Sequence, residues 1–280
     1  MTTALPVPDS ASDVRARNFV TTAGDPDGPV LLFAHGFGCD QDMWRYLVPS
    51  FTDEHRVVLF DHVGAGRSDL TQYDPARYAT LAGYADDLLE LCTSMGLRDV
   101  TLVAHSISAM MAVSAAVQRP DLFSRLVLVA PSPCYVDDPA DGYVGGFSRA
   151  DIDELLASLD HNYFSWAAAM APVVMGTPDS PELGEELTGS FCRTDPDIAR
   201  DFARVTFLSD SRQLLPRLRT PALILQCTDD ALAPLEVGEY LHARLAGSTL
   251  VRLAATGHCP HVSAPVETAR AVQAFLSPAA

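Results

Sequence analysis

Six short apolar runs, each bounded by turn residues, constrain this chain more than any other feature. They are PVLLFAH (29–35), RVVLFD (56–61), VTLVAH (100–105), RLVLVA (125–130), PALILQ (221–226) and STLVRL (248–253). All are nearly continuous in Val, Leu and Ile rather than alternating with polar residues. A strand with one wet face alternates; a strand covered on both faces need not, and that is the condition of a parallel sheet. Parallel neighbours need long crossovers, and helical patterns supply them. YATLAGYADDLLELCTSMGL (78–97) places apolar residues three and four apart and stops at Gly96, and ISAMMAVSAAVQRP (107–120) halts at Pro120. The pattern predicts a doubly wound α/β sheet.

The alternation breaks between about 131 and 220, where helix starts recur without intervening strands. Ser148 with Asp151 three residues on has the spacing of a capping box. Ser180–Pro181 and Asp195–Pro196 each pair a capping residue with a proline suited to a first helical turn. The resulting division is a loosely held tail (1–15), a sheet core (16–132 and 214–280) and an inserted helical lid (133–213) over the sheet's C-terminal edge. That edge is where open α/β sheets bind ligands.

Composition narrows the partners. A net charge of −17 disfavours nucleic acid and anionic membrane surfaces. No apolar run is long enough to span a bilayer. The opening MTTALPVPDSASDVRAR lacks a basic start followed by an apolar stretch, so it does not read as a secretory signal. The six cysteines are scattered without a CxxC pair, which suggests reduced, mostly buried thiols and a cytoplasmic protein. Histidines at metal-ligand spacing are missing, as is a G-x-G-x-x-G after a strand, so no metal or other cofactor is expected. GAGRS (64–68) lacks the lysine and the spacing of a phosphate loop and reads as a glycine turn.

The chemistry-bearing segments follow strands. LVAHSISAMM (102–111) runs from an apolar strand into a helical pattern through His105 and Ser106. A nucleophile held in a sharp strand-to-helix turn needs small residues two before and two after it. Ala104 and Ser108 are small, whereas taking Ser108 as nucleophile would place Met110 at the crowded position, so Ser106 is the candidate. AHGFGCDQ (34–41) follows the first strong strand. Such a loop can aim a backbone N–H, here that of Phe37, at the point faced by the N–H of Ile107, forming a hole for an oxyanion. In QCTDDALAP (226–234), Asp230 stands four residues before Pro234, with Asp229 as the rival. ATGHCPHVSAPVE (255–267) offers His258 as a base, with His261 as the alternative. The chain order Ser106, Asp230, His258 is the Ser…Asp…His order of α/β-hydrolases. Ser106 would be activated by His258, which Asp230 would orient; a dehalogenase is disfavoured because its nucleophile would be an aspartate.

HGFGCDQ, FDHVGAGRSDL, HSISAMM, RPDLFSRLVLVAPSPCY, FCRTDP, LILQCTDDALAP and GHCPHVSAP together resemble the RsbQ-like α/β-hydrolases, positive regulators of the sigma-B general stress response. The likeness runs from about residue 16 to the end and extends, more distantly, to the plant karrikin and strigolactone receptors. It implies an α/β-hydrolase fold and a Ser106–Asp230–His258 triad. It also implies an oxyanion hole at Phe37 and Ile107, and a closed hydrophobic cavity beneath the lid. Slow hydrolysis of small apolar esters follows, as does a PAS-domain PP2C-type phosphatase as partner, with a small hydrophobic molecule as ligand. Ala104 departs from the glycine usual in this family. Seven residues of the lid are apolar enough to wall the cavity: Phe147, Tyr163, Phe164 and Trp166, then Met170, Val174 and Phe191. A ligand-sensing regulator in which hydrolysis is incidental shares the same triad.

Overall fold

The six apolar runs form six strands of one sheet in the computed structural model, which describes residues 10–277. They are β2 (Val30–Ala34), β3 (Arg56–Leu59), β4 (Val100–His105), β5 (Phe123–Val129), β6 (Ala222–Asp229) and β7 (Ser248–Thr256). A seventh, β1 (Thr21–Gly24), pairs antiparallel with β3; the remaining neighbours are parallel, in the order β1-β3-β2-β4-β5-β6-β7. The short sequence TTAG gave no sign of β1, because an edge strand with alternating exposure needs no apolar run. Central β4 is buried at every position.

Successive side chains of a strand point to opposite faces, and here both faces are covered. Leu32, Leu102, Leu126 and Ile224 pack on one side with α2 (Leu81–Ser94), α3 (Ser108–Gln118) and α8 (Leu235–Arg244). Leu31, Phe33, Val103, Val127 and Leu223 pack on the other with Trp44, Phe51 and α10 (Pro265–Leu276). That two-sided burial is why the central runs are continuous; β7, at the edge, is buried at only two of its positions. Of the expected tail, residues 1–9 lie outside the described residues, and 10–15 fall within α1 (Ser10–Arg17).

Four helices stand between β5 and β6: α4 (Arg149–His161), α5 (Tyr163–Met175), α6 (Pro181–Arg193) and α7 (Pro196–Leu208). Ser148 and Asp151 form the reciprocal capping box, and Asp195 accepts from the amides of Asp197 and Ile198. Ser180 makes no side-chain cap; Pro181, whose fixed φ suits a first turn, starts α6 without it. α5 packs on α6 and α4 on α7, and a third apolar cluster joins them to the C-terminal edge of the sheet through Cys39, Met43, Tyr135 and Val262. All six cysteines are free, five of them buried. Among the described residues no helix is long and apolar enough to cross a membrane.

Away from that edge, Asp87 of α2 is 1% exposed and holds α1 to the sheet domain. It accepts from Tyr78 Oη at 2.8 Å and pairs with Arg77 at 2.5 Å and Arg17 at 3.1 Å. Removing one partner of a buried ionic network leaves the others uncompensated. Asp87→Ala is therefore expected to lower the unfolding free energy by about 3 kcal/mol in urea titrations; a loss under about 1 kcal/mol would show that Arg17 and Arg77 are satisfied by solvent and Glu90 instead.

Candidate active site

Ser106 sits at the turn from β4 into α3 with φ +57, in the left-handed region that side-chain-bearing residues rarely adopt. Its amide donates to Val129 O at 2.8 Å, pinning the turn to β5. Ala104 and Ser108 are both fully buried. Ser108 is more than small: its hydroxyl donates to His35 O at 2.5 Å and lies 2.9 Å from His62 Nε2, tying the start of α3 to the HGFG loop. Gly36 lets that loop pass close, since a Cβ there would stand 2.6 Å from His105 Nδ1 and 3.1 Å from Ser106 Cβ.

Three distant segments converge on the serine. Ser106 Oγ is 2.7 Å from His258 Nε2, and His258 Nδ1 is 2.9 and 3.0 Å from the two Asp230 oxygens. A carboxylate only accepts, so Nδ1 carries the imidazole proton and Nε2 is free to accept the serine hydroxyl. Asp230 Oδ1 also takes the amides of Leu232 and Ala233, which hold the carboxylate in place. The carboxylate is fully buried and His258 is 2% exposed.

The rivals lie elsewhere. Asp229 is exposed, and its carbonyl, not its side chain, meets this loop by accepting from Gly257 N at 2.7 Å. His261 is buried between Trp44 and His105, with ring centroids at 4.4 and 4.5 Å and no hydrogen bond to either nitrogen. The loop bearing His258 is held by the helical insertion: His258 N donates to Val174 O at 2.7 Å, and Thr256 Oγ1 to Gly176 O at 2.6 Å. Gly257 has φ +77, and a Cβ there would fall 2.0 Å from Met175 O, so the close approach needs glycine. Among the described residues, the amides of Phe37 and Ile107 donate to no protein acceptor.

A cavity opens beside Ser106 and His258, between the sheet edge and the insertion. Of the seven lid residues expected to wall it, Trp166, Met170, Val174 and Phe191 do so. Trp166, Met170 and Val174 follow one another at four-residue steps along α5 and so share its inner face. Phe164 is turned away from that face and is 53% exposed. Tyr163 is buried, but its hydroxyl donates to Phe191 O at 2.8 Å and its ring stacks against Trp166 behind the wall. Phe147 packs partly buried at the edge of the insertion's core. These three expectations are corrected accordingly.

Phe37, Leu187, Phe207 and Leu232 complete the apolar wall, with Tyr135 and Thr206 as polar members. Tyr135 was missed although it follows β5, the strand beside β4, at the edge where such sheets bind ligands. The free volume is about 30 Å³, room for about one or two waters, so a substrate enters only if the walls part. A larger groove of about 700 Å³, between the start of α2, α3 and α7, carries neither histidine nor cysteine. Among the described residues no cluster of His, Cys, Asp and Glu could hold a metal ion.

The sequence profile described as the Alpha/beta hydrolase family matches residues 31–271. The chain belongs to that family. It is 38% identical over 248 residues to the strigolactone esterase of Arabidopsis thaliana, covering 88% of this chain and 92% of that one. It is 39% identical over 236 residues to the karrikin insensitive 2 receptor CA of Petunia hybrida, covering 84% and 87%. A solved hydrolase from Oleispira antarctica superposes with a TM-score of 0.92 at 42% identity, covering 95% of this chain and 96% of that one. The protein is thus an enzyme of the hydrolase class.

Behind the triad, His105 and His261 are kept neutral. Burial and the neighbouring histidines lower both, His261 to about 3. The unfolded chain protonates each near pH 6.5, which the folded chain resists. Stability is therefore intact above about pH 6.5 and declines as pH falls below it, by up to about 1.4 kcal/mol per pH unit for each group, the decline ending near pH 3 for His261. The urea midpoint is expected to drop between pH 7 and 5, and to drop less steeply in His261→Phe; identical slopes would show that His261 is not held neutral.

Proposed function

We propose that the protein is a serine esterase acting on small hydrophobic esters. The observation that carries this reading is the 2.7 Å contact of Ser106 Oγ with His258 Nε2, continued through Nδ1 to Asp230, at the wall of an apolar cavity. In this reading His258 takes the hydroxyl proton as Ser106 Oγ attacks the ester carbonyl. Asp230 holds the tautomer and stabilises the imidazolium. The unpaired amides of Phe37 and Ile107 receive the oxyanion, each worth roughly 3 to 4 kcal/mol of transition-state stabilisation. The imidazolium then protonates the departing alcohol, and water repeats the sequence on the acyl-enzyme.

A second reading is favoured by the nearly filled cavity: a ligand that parts the walls moves the insertion, which suits a sensor with slow turnover. The likeness to RsbQ-like regulators, and the receptor names carried by relatives such as that of Petunia hybrida, support this reading. In it the protein is cytoplasmic, and a ligand-driven shift of the insertion signals to a PAS-domain PP2C-type phosphatase in a sigma-B-type stress response.

With p-nitrophenyl acetate, steady turnover is expected, falling by about 10⁴-fold or more in Ser106→Ala. A fluorophosphonate is expected to label Ser106 alone. Label elsewhere, or undiminished turnover in the variant, overturns the esterase reading; one stoichiometric burst without turnover selects the sensor.

A further inference from the structure

The residue before the nucleophile is a buried histidine, His105, 2% exposed. Its Nε2 lies 2.8 Å from His258 O, a contact between residues 153 apart in the chain. A carbonyl only accepts, so Nε2 carries the proton and Nδ1 is bare. Nδ1 is buried without a hydrogen-bond partner among the described residues. It abuts the HGFG loop, where a Cβ on Gly36 would fall 2.6 Å from it. The ring centroid stands 5.2 Å from that of His258 and 4.5 Å from that of His261. Burial, then the neighbouring His261 and His258, keep the imidazole neutral. Its one proton is committed to a carbonyl, and it makes no hydrogen bond to Ser106 Oγ, so His105 is no second base.

Leaving a buried polar atom such as Nδ1 unpaired costs roughly 1 to 3 kcal/mol. Phenylalanine would fill similar space without that cost, so what histidine adds at this position is the Nε2–H bond. The imidazole of His258 is held by Asp230 and meets Ser106, and its amide donates to Val174 O in the insertion at 2.7 Å. One backbone group of the base remains, its carbonyl, and His105 ties that group to β4. This strand is buried throughout and paired on both sides, with β2 and β5. Residue 105 is also covalently joined to residue 106. Nucleophile and base are thereby referenced to two consecutive residues at the end of one rigid strand.

We propose that His105 is a positioning residue: by holding the His258 carbonyl it sets the separation of His258 Nε2 from Ser106 Oγ. It acts through His258 and does not touch the reacting atoms. The inference deepens the esterase reading and rests on it. Proton transfer needs hydrogen-bond reach, and a misplacement of about 1 Å can cost about 100-fold in rate. Ground-state binding against the apolar walls does not use this bond, so the loss falls on kcat rather than KM.

The test compares His105→Phe, which keeps a ring and loses the donor, with His105→Gln, whose side-chain amide returns an N–H near the place of Nε2. His105→Leu repeats the loss without a ring, so the comparison does not hang on one variant. With p-nitrophenyl acetate, His105→Phe and His105→Leu are expected to lower kcat about 100-fold with KM within about threefold, and His105→Gln to regain about tenfold of that loss. Labelling of Ser106 by a fluorophosphonate, which uses the same Ser106–His258 contact, is expected to slow in parallel. Circular dichroism and urea midpoints select the folded variants. Unchanged kcat in the folded variants, a change confined to KM, or a loss that glutamine does not recover overturns the positioning role. Turnover that still vanishes in Ser106→Ala then leaves the esterase reading standing. Turnover that survives Ser106→Ala, or none in the unaltered protein, overturns both.

Discussion

A serine forced into a left-handed backbone conformation between a buried strand and a buried helix is the constraint around which this molecule is arranged. Such a turn is unfavourable on its own and persists only where its surroundings over-determine it. Here the Ser106 amide is bound to β5, and the two flanking small residues let β4 and α3 crowd together. Ser108 fastens the next loop through His35 O. The geometry presents one hydroxyl, itself buried, to the cavity at the C-terminal edge of the sheet. Fold stability and site geometry are therefore one quantity at this point.

The second dependence runs through the insertion. The last carbonyls of a helix lack partners within it. Those at the end of α5 are taken by the loop that carries His258, through the His258 amide and the Thr256 hydroxyl. α6 is fastened on the opposite side, where Ser190 Oγ donates to Gly38 O at 2.8 Å and Arg193 pairs with Asp40 at 2.7 Å. The helices that roof the cavity thus also hold His258 and abut the loop bearing Phe37.

Much of this was legible because local pattern and tertiary role agree. The apolar runs of the inner strands were readable since two-sided burial both demands and permits continuous hydrophobic sequence. The capping box at Ser148 and the cap at Asp195 were readable because they are satisfied within a few residues. β1 was not, since this four-residue edge strand, TTAG, carries no apolar run. Phe164 looked as suitable a wall residue as Trp166 in composition, and only the helical rotation separates them. Ser180 kept the expected position without the expected hydrogen bond, because Pro181 alone suffices to begin the turn.

Taken by itself, the sequence determined the layered sheet, the place of the helical insertion, and the strand-to-helix turn at Ser106. Each is a matter of periodicity and side-chain size over a few consecutive residues. At the ends of β6 and β7 it favoured Asp230 over Asp229 and His258 over His261 without disposing of the rivals. Local spacing ranks such neighbours but does not show which side chain meets the serine. Tertiary structure decided that Asp230 and His258 turn inward while Asp229 faces water and His261 stacks on Trp44. It alone set Tyr135 and Thr206 into the same cavity. Contacts such as those of Asp230 with His258, 28 residues apart, and of Ser106 with His258, 152 apart, are distances across a packed core, and no short window of sequence contains them.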